Sequence, residues 1–395
     1  MKDNSTENYF DWAATSPLDE DILDESLKIA KENWGNPSSA HEIGKKARTV
    51  FEEARTLSAK ALNVKPDTVY FTSGGSESDQ LVLLSVLEKP SKGTVLISSI
   101  EHPAIREQAE ALKKCGWKVI SLPCNKNGIV DVEIVKKHLT EDVALVCIMA
   151  VNNETGAIQP IYEIADLLIN VYKGKRKPKL HVDCVQGAGK IPLNLSYQGI
   201  DSAALSSHKI CGPRGIGILY LANPFESFLR GGGQEKNIRS GTENVLGAIA
   251  FSKCLEKFFL LNEKSKAYDD YLQHKSFSDE FVDKLIEIPE CTIIPECRKD
   301  KENRNDFSPW IVQAAFKNIP GNVMMRALDA KGFSISTGSA CSVKKQNRPI
   351  LEAMRISKDL QESSVRFSFG PSTTKEAIMN LYSEIAEINK TFNKH

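Results

Sequence analysis

No stretch of this chain approaches the ~18–20 apolar residues of a membrane span, and no two cysteines are spaced C-x-x-C. Neither sign of charge is in excess, because 51 Lys and Arg balance 51 Asp and Glu. The first absence leaves no candidate helical anchor. The second argues against a closed structural zinc site, and an odd count of nine cysteines argues against a disulfide framework. Without a basic or acidic balance, direct nucleic-acid or membrane-surface binding has no electrostatic support. The opening Met-Lys-Asp-Asn-Ser-Thr-Glu is polar and lacks the apolar core of a secretory signal. Repeats and low-complexity tracts are missing too. The expectation is a cytoplasmic globular protein with no metal site.

What is present is an alternation of elements. The 395 residues suffice for a large and a small domain. Short β-rich runs fall at Thr68–Thr72, Thr94–Ser98, Lys118–Leu122, Ala144–Met149, Leu180–Val182, Ala203–Ser206 and Gly217–Leu221. Amphipathic runs such as Ala104–Cys115 and Ile161–Val171 lie between them. That pattern predicts an α/β fold with a mostly parallel seven-stranded sheet covered on both faces. A long helical stretch, Val245 to about Leu272, leads to a smaller α+β region. There Ile311–Phe316, Phe333–Ser336 and Ser364–Ser368 read as strands, with helices at Asn322–Lys331 and from Lys375 onward. The basic run Lys173–Lys179 reads as a surface loop, and the strongly charged segment Glu296–Asp306 as a loop.

Chemistry-bearing residues follow the strands, where an open parallel sheet gathers its ligands. Thr72-Ser-Gly-Gly-Ser76 joins a strand to a helix, and a glycine-rich helix start beside a hydroxyl cradles anions. A Ser-capped helix with no ligand is the plainer reading of that run alone. Asp183 ends an apolar strand, and a carboxylate there calls for a cationic partner such as a protonated pyridine nitrogen. Gln186 is placed to hydrogen-bond the phenolic oxygen of that ring, although an N-cap would account for Asp183 equally well. His102 can stack on a planar ring or move protons, and Asn153 brings an amide to the same edge. Lys209, in Ser206-Ser-His-Lys-Ile-Cys-Gly-Pro213, suits an amine that forms a Schiff base once its pKa is lowered. Gly231–Gly233 and Ile238–Thr242 offer a second backbone and hydroxyl site for phosphate. Together these parts describe a pyridoxal phosphate site.

An ordered series then spans nearly the whole chain: Asp11–Pro17, Gly35–Ser38, Phe71–Asp79, Glu101-His102, Val151–Glu154, His181–Asp183, Ser206–Lys209, Arg239–Thr242, Thr337–Cys341 and Val365–Ser368. It resembles the cysteine desulfurases of the NifS/IscS type, within the class V aminotransferase group. The resemblance implies a fold-type I pyridoxal 5'-phosphate transferase with an N-terminal arm (1–16) belonging with the small domain. Residues 17–258 would form the large cofactor domain, and 259–395 the small domain carrying the catalytic cysteine loop. By position Lys209 resembles the Schiff-base lysine, Asp183 the pyridinium partner and His102 the residue stacked on the ring. Asn153 and Gln186 resemble the residues on the ring oxygen, and Gly75, Ser76, Ser206 and His208 those of the phosphate site. Thr242 resembles the residue that reaches the phosphate from the other subunit, which implies a homodimer. Arg366 resembles the arginine holding the substrate carboxylate, with Asn36 assisting.

Cys341 resembles the thiol that takes sulfur from L-cysteine, leaving alanine and an enzyme persulfide for an iron–sulfur scaffold or tRNA-thiolation protein. Its Thr-Gly-Ser-Ala setting resembles the group with a long mobile cysteine loop. There are departures. The phosphate loop has Gly-Gly-Ser-Glu-Ser where Gly-Ala-Thr-Glu-Ser is common, the run Val343–Arg348 is basic, and no clear equivalent of the scaffold-docking tail follows the last helix. Selenocysteine lyase, another class V lyase or aminotransferase, and a non-catalytic assembly protein are the alternative readings.

Overall fold

Apolar residues make up most positions across seven short strands: β1 Val69–Thr72, β2 Thr94–Ser98, β3 Lys118–Leu122, β4 Val143–Met149, β5 Lys179–Asp183, β6 Ser202–Ser206 and β7 Gly217–Leu221. The computed structural model describes residues 6–260, 265–338 and 348–393. Its main sheet has the order β1-β7-β6-β5-β4-β2-β3. β7 runs antiparallel to both neighbours, and the other pairs are parallel. β3, at the edge, is the strand with mostly exposed or half-buried positions.

Continuous apolar strands need cover on both faces, and the side-chain alternation sorts them. Phe71, Leu96, Val146, Val182, Leu205 and Ile218 enter one core with helices Glu42–Leu62, Ile161–Val171 and Val245–Phe258. Tyr70, Val95, Leu145 and Leu219 enter the opposite core with helices Gly75–Ser85 and Pro103–Lys114. The expected sheet is therefore present, with strand limits within a residue or two of those read from the sequence.

A second, antiparallel sheet, β10-β9-β8, comprises β8 Cys291–Ile294, β9 Ile311–Phe316 and β10 Ser364–Ser368. Its core holds Phe281, Phe316, Phe367 and Phe369, and Phe10 packs into it. Three expectations need correction. The helical stretch from Val245 is broken into Val245–Phe258 and Lys266–Ile286. Phe259 leaves the helix in extended backbone, and it and Leu260 are buried, so apolar docking interrupts the helix. Phe333–Ser336 is not a strand but makes single bridges, Ser334 to Tyr9 and Ser336 to Arg366. Strand β8 had too short an apolar run to be distinguished.

One register relationship positions the site. Gly217 of β7 pairs with both Thr72 and Ser206, which brings the carboxyl ends of β1 and β6 to one edge. A Cβ on Gly217 would stand 2.6 Å from Gly74 Cα, so glycine is required for the loop after β1 to pass this close.

Candidate active site

Loops leaving the carboxyl ends of β1, β2, β4, β5 and β6 enclose a cavity of about 890 Å³. Among its lining residues are Gly75, Ser76, His102, Asn153, Asp183, Gln186, Ser206, His208, Lys209 and Arg366. Ten of the expected site residues thus meet in one place. Helix Gly75–Ser85 starts here with Gly74 at φ 155° and no side-chain cap on its first turn. A Cβ on Gly75 would come within 2.4 Å of Val185 Cγ2, so the backbone itself forms the wall. Ser206 is buried and adjoins this glycine turn, its Oγ 3.8 Å from where a Gly74 Cβ would be.

Burial governs the electrostatics. Asp183 is almost fully buried, with Oδ1 accepting from Val185 N–H at 2.9 Å. Burial and the neighbouring Asp79 charge push its carboxyl up to about 7, against the pull of Val185 N–H, His181 and Lys209. Beside it, Asp79 Oδ1 lies 3.0 Å from His181 Nε2, whose Nδ1 is 2.9 Å from Ser202 Oγ. Burial lifts the Asp79 carboxyl well above its usual range and lowers His181 to about 4, so both are held toward their neutral forms.

His102 caps helix Pro103–Lys114, its Nδ1 accepting from Ala104 N–H at 3.2 Å. Burial, then the charges of Lys209 and Arg106, lower it to about 4, which leaves a neutral imidazole at physiological pH. His208, close to Thr15 Oγ1 at 3.2 Å, is lowered to about 4 chiefly by burial.

The N-terminal segment runs across the site. Lys209 Nζ donates to the carbonyls of Ala13 and Ala14, both at 2.7 Å. Gln186 Nε2 donates to Ala13 O at 2.8 Å. Arg366, on β10, donates from Nη2 to Asp11 Oδ1 at 2.8 Å and from Nη1 to Asn153 O at 2.7 Å. The second sheet thereby delivers its arginine into a cavity built by the first.

Two expected residues lie elsewhere. Asn36 and Thr242 are both exposed and are not among the residues lining this cavity. Cys341 falls outside the described residues. Of the other cysteines, burial pushes the thiols of Cys124, Cys147, Cys184, Cys211, Cys254, Cys291 and Cys297 up, away from the reactive thiolate.

Sequence reasoning missed Arg106, which lines the cavity, and gave Asp79 no role beyond its place in the Phe71–Asp79 run. Asp79 had a signal, lying four residues after Gly75 and so one turn along the same helix. Glu101 was quoted only for its neighbour His102. It is fully buried, accepting from Ser98 Oγ at 2.5 Å and from Met149 N–H at 2.8 Å.

A phosphorylated pyridine fits these residues. The uncapped glycine turn offers backbone N–H groups to a phosphate. The buried Asp183 carboxyl complements a pyridinium, and Asn153 Oδ1 is a buried polar atom without a hydrogen-bond partner among the described residues. Lys209 stands at the same cavity.

The profile of the family described as "Aminotransferase class-V" matches residues 8–381. A protein of Dictyoglomus turgidum named "Cysteine desulfurase IscS" is 35% identical, over 94% of this chain and 91% of its own length. "Cysteine desulfurase NifS" of Azotobacter vinelandii is 33% identical, over 96% of this chain and 92% of its own length. A solved structure titled "NIFS-LIKE PROTEIN" superimposes with a TM-score of 0.85 at 31% identity, covering 98% of this chain and 100% of that one. Another, "SspA in complex with cysteine", gives 0.77 at 26% identity, covering 93% and 100%.

Proposed function

The chain belongs to the class-V aminotransferase family, and on that premise we propose that it is a pyridoxal 5'-phosphate-dependent cysteine desulfurase. The observation carrying this reading is one cavity that brings the Gly74–Ser76 turn, Asp183, Lys209 and Arg366 together, in a chain similar along its length to proteins named cysteine desulfurase. Bound there, the cofactor supplies an electron sink for bonds to the substrate's α-carbon.

The chain's own residues do the rest. The glycine turn with Ser76, Ser206 and His208 holds the phosphate. Asp183 pairs with the ring nitrogen, a cation that offsets the cost of its buried carboxylate. Asn153 and Gln186 bind the ring oxygen, and His102 covers the ring as a neutral imidazole whose Nδ1 is taken by Ala104 N–H, leaving its proton on Nε2. Lys209 anchors the cofactor covalently and carries protons to and from the substrate's carbons. Arg366, whose planar guanidinium matches a carboxylate, orients L-cysteine.

Cys341 then attacks the substrate sulfur as a thiolate. Its sulfur gains an S–S bond, the substrate's C–S bond breaks, and a proton completes alanine, so cysteine plus enzyme thiol gives alanine plus enzyme persulfide. The raised thiols of the seven buried or half-buried cysteines leave few competitors for this role. A homodimer, with Thr242 completing the partner subunit's phosphate site, and a sulfur-acceptor protein that discharges the persulfide belong to the same proposal.

The decisive experiment is a single turnover of the cofactor-loaded protein with L-cysteine. Alanine and a persulfide on Cys341 should appear in equal amounts. Cys341→Ser should retain the cofactor's visible band while forming no persulfide, and undiminished sulfide release from that variant would overturn the mechanism.

A further inference from the structure

Lys190 is a buried lysine to which the proposed reaction assigns no role. Its side chain is enclosed (6% exposed), and Nζ donates to Gln186 Oε1 at 2.5 Å. Around it stand Lys209 and Arg366, whose charges oppose its own, and the thiol of Cys211. Its charge in turn bears on His208. Burial and then the two cations push its pKa well below the usual lysine range. A group held this way at the back of a site needs a reason to be there.

The reason lies in the Gln186 amide. On one side Nε2 donates to Ala13 O at 2.8 Å, and on the other Oε1 accepts from Lys190. A backbone carbonyl can only accept. Turning the amide over would set Oε1 against the Ala13 oxygen and remove the acceptor from the Lys190 amine. Two neighbours on separate segments therefore enforce one orientation. In that orientation the amide has a second N–H, and Gln186 lines the cavity.

We propose that Lys190 is a positioning residue for the desulfurase reaction, fixing the Gln186 amide so that an N–H faces the cofactor's phenolic oxygen. The proposal rests on the reading of Gln186 as a ring-oxygen partner. A donor at that oxygen draws electron density from it and lowers the proton affinity of the nitrogen joining Lys209 to the cofactor. Lys190 strengthens the donor further, because hydrogen bonds in a chain polarise one another. Without the amine, Oε1 is left buried and unsatisfied, and the amide rotates or weakens as a donor.

The test is a pH titration of the visible absorbance of cofactor-loaded wild type, Lys190→Met and Gln186→Ala, with cofactor content measured for each. Lys190→Met should move the titration midpoint upward by about half a unit or more, towards the value for Gln186→Ala. If Gln186→Ala shifts the midpoint and Lys190→Met, fully loaded, does not, the role of Lys190 falls while that of Gln186 stands. If neither shifts, the proposal falls together with the reading of Gln186. Should Lys190→Met not fold, Gln186→Glu decides, with Lys190 intact. The amine then pairs with the new carboxylate, so the variant should keep its cofactor and raise the midpoint. Loss of the cofactor in that variant overturns the contact.

Discussion

Arg366 Nη2 lies 2.8 Å from Asp11 Oδ1, joining a strand of the small sheet to the N-terminal segment across the cavity. Arg366 is only 3% exposed at its side chain, against 21% for Asp11, so the guanidinium depends on this neighbour. Asp11→Ala should destabilise the protein by about 2–3 kcal/mol, because a buried cation loses its counter-charge, read as a lower thermal midpoint. Arg366→Lys keeps the charge but loses the planar fork. It should raise KM for L-cysteine about tenfold or more while the visible band is unchanged, which steady-state kinetics and a spectrum would check.

Asp183 makes a pH-dependent contribution of defined sign. Its folded pKa is raised from the ordinary carboxyl range to about 7. The folded state therefore binds the proton more tightly, and the associated stability is present below the unfolded value and lost as pH rises through about 7. In the cofactor-free protein, Asp183→Asn should become progressively more stable than wild type over that window, by at most a few kcal/mol. The two should then differ by a constant amount at higher pH. Melting curves at a series of pH values would show it, and a difference independent of pH would refute the assignment.

Gly217 constrains the anion-binding turn from the neighbouring strand. An alanine Cβ there would meet Gly74 Cα at 2.6 Å and the Leu205 carbonyl oxygen at 2.7 Å. Both are backbone atoms that cannot turn aside. Gly217→Ala should cost about 1–3 kcal/mol through overpacking. It should also weaken cofactor binding, although residue 217 is not itself a cavity residue. Equilibrium titration with pyridoxal phosphate, alongside thermal melting, separates the two effects.

Thr242 tests the proposed dimer. It is exposed on this chain, so a role at the phosphate must be exercised on a partner. Thr242→Asp would oppose a phosphate, and Lys209→Ala removes the anchoring amine. Each variant should be inactive alone. Co-assembled at random, the two should regain up to about a quarter of wild-type activity, since about half of the dimers would be mixed and each mixed dimer would hold one intact site of two. No recovery in verified mixed dimers would remove Thr242 from the site.

Local pattern along the chain made the sheet and most of the candidate site legible. Strands such as Val143–Met149 are apolar throughout, and their spacing between amphipathic helices admits little but a covered parallel sheet. Gly75, His102, Asn153 and Lys209 each follow a strand of this sheet and Asp183 ends one, so placing the strands placed the residues. Features that depend on distant segments emerged only from the folded chain. The break after Phe258 arises because Phe259 and Leu260 find burial outside the helix, which local periodicity does not register. The pairing of Arg366 with Asp11, and the grip of Ala13 on Gln186 and Lys209, join residues far apart in the chain whose contact no motif encodes. Nor does an isolated Gly-Lys dipeptide mark Lys190 as buried. Only the packing around it, which removes water and supplies the Gln186 amide oxygen, sets this lysine beside the site.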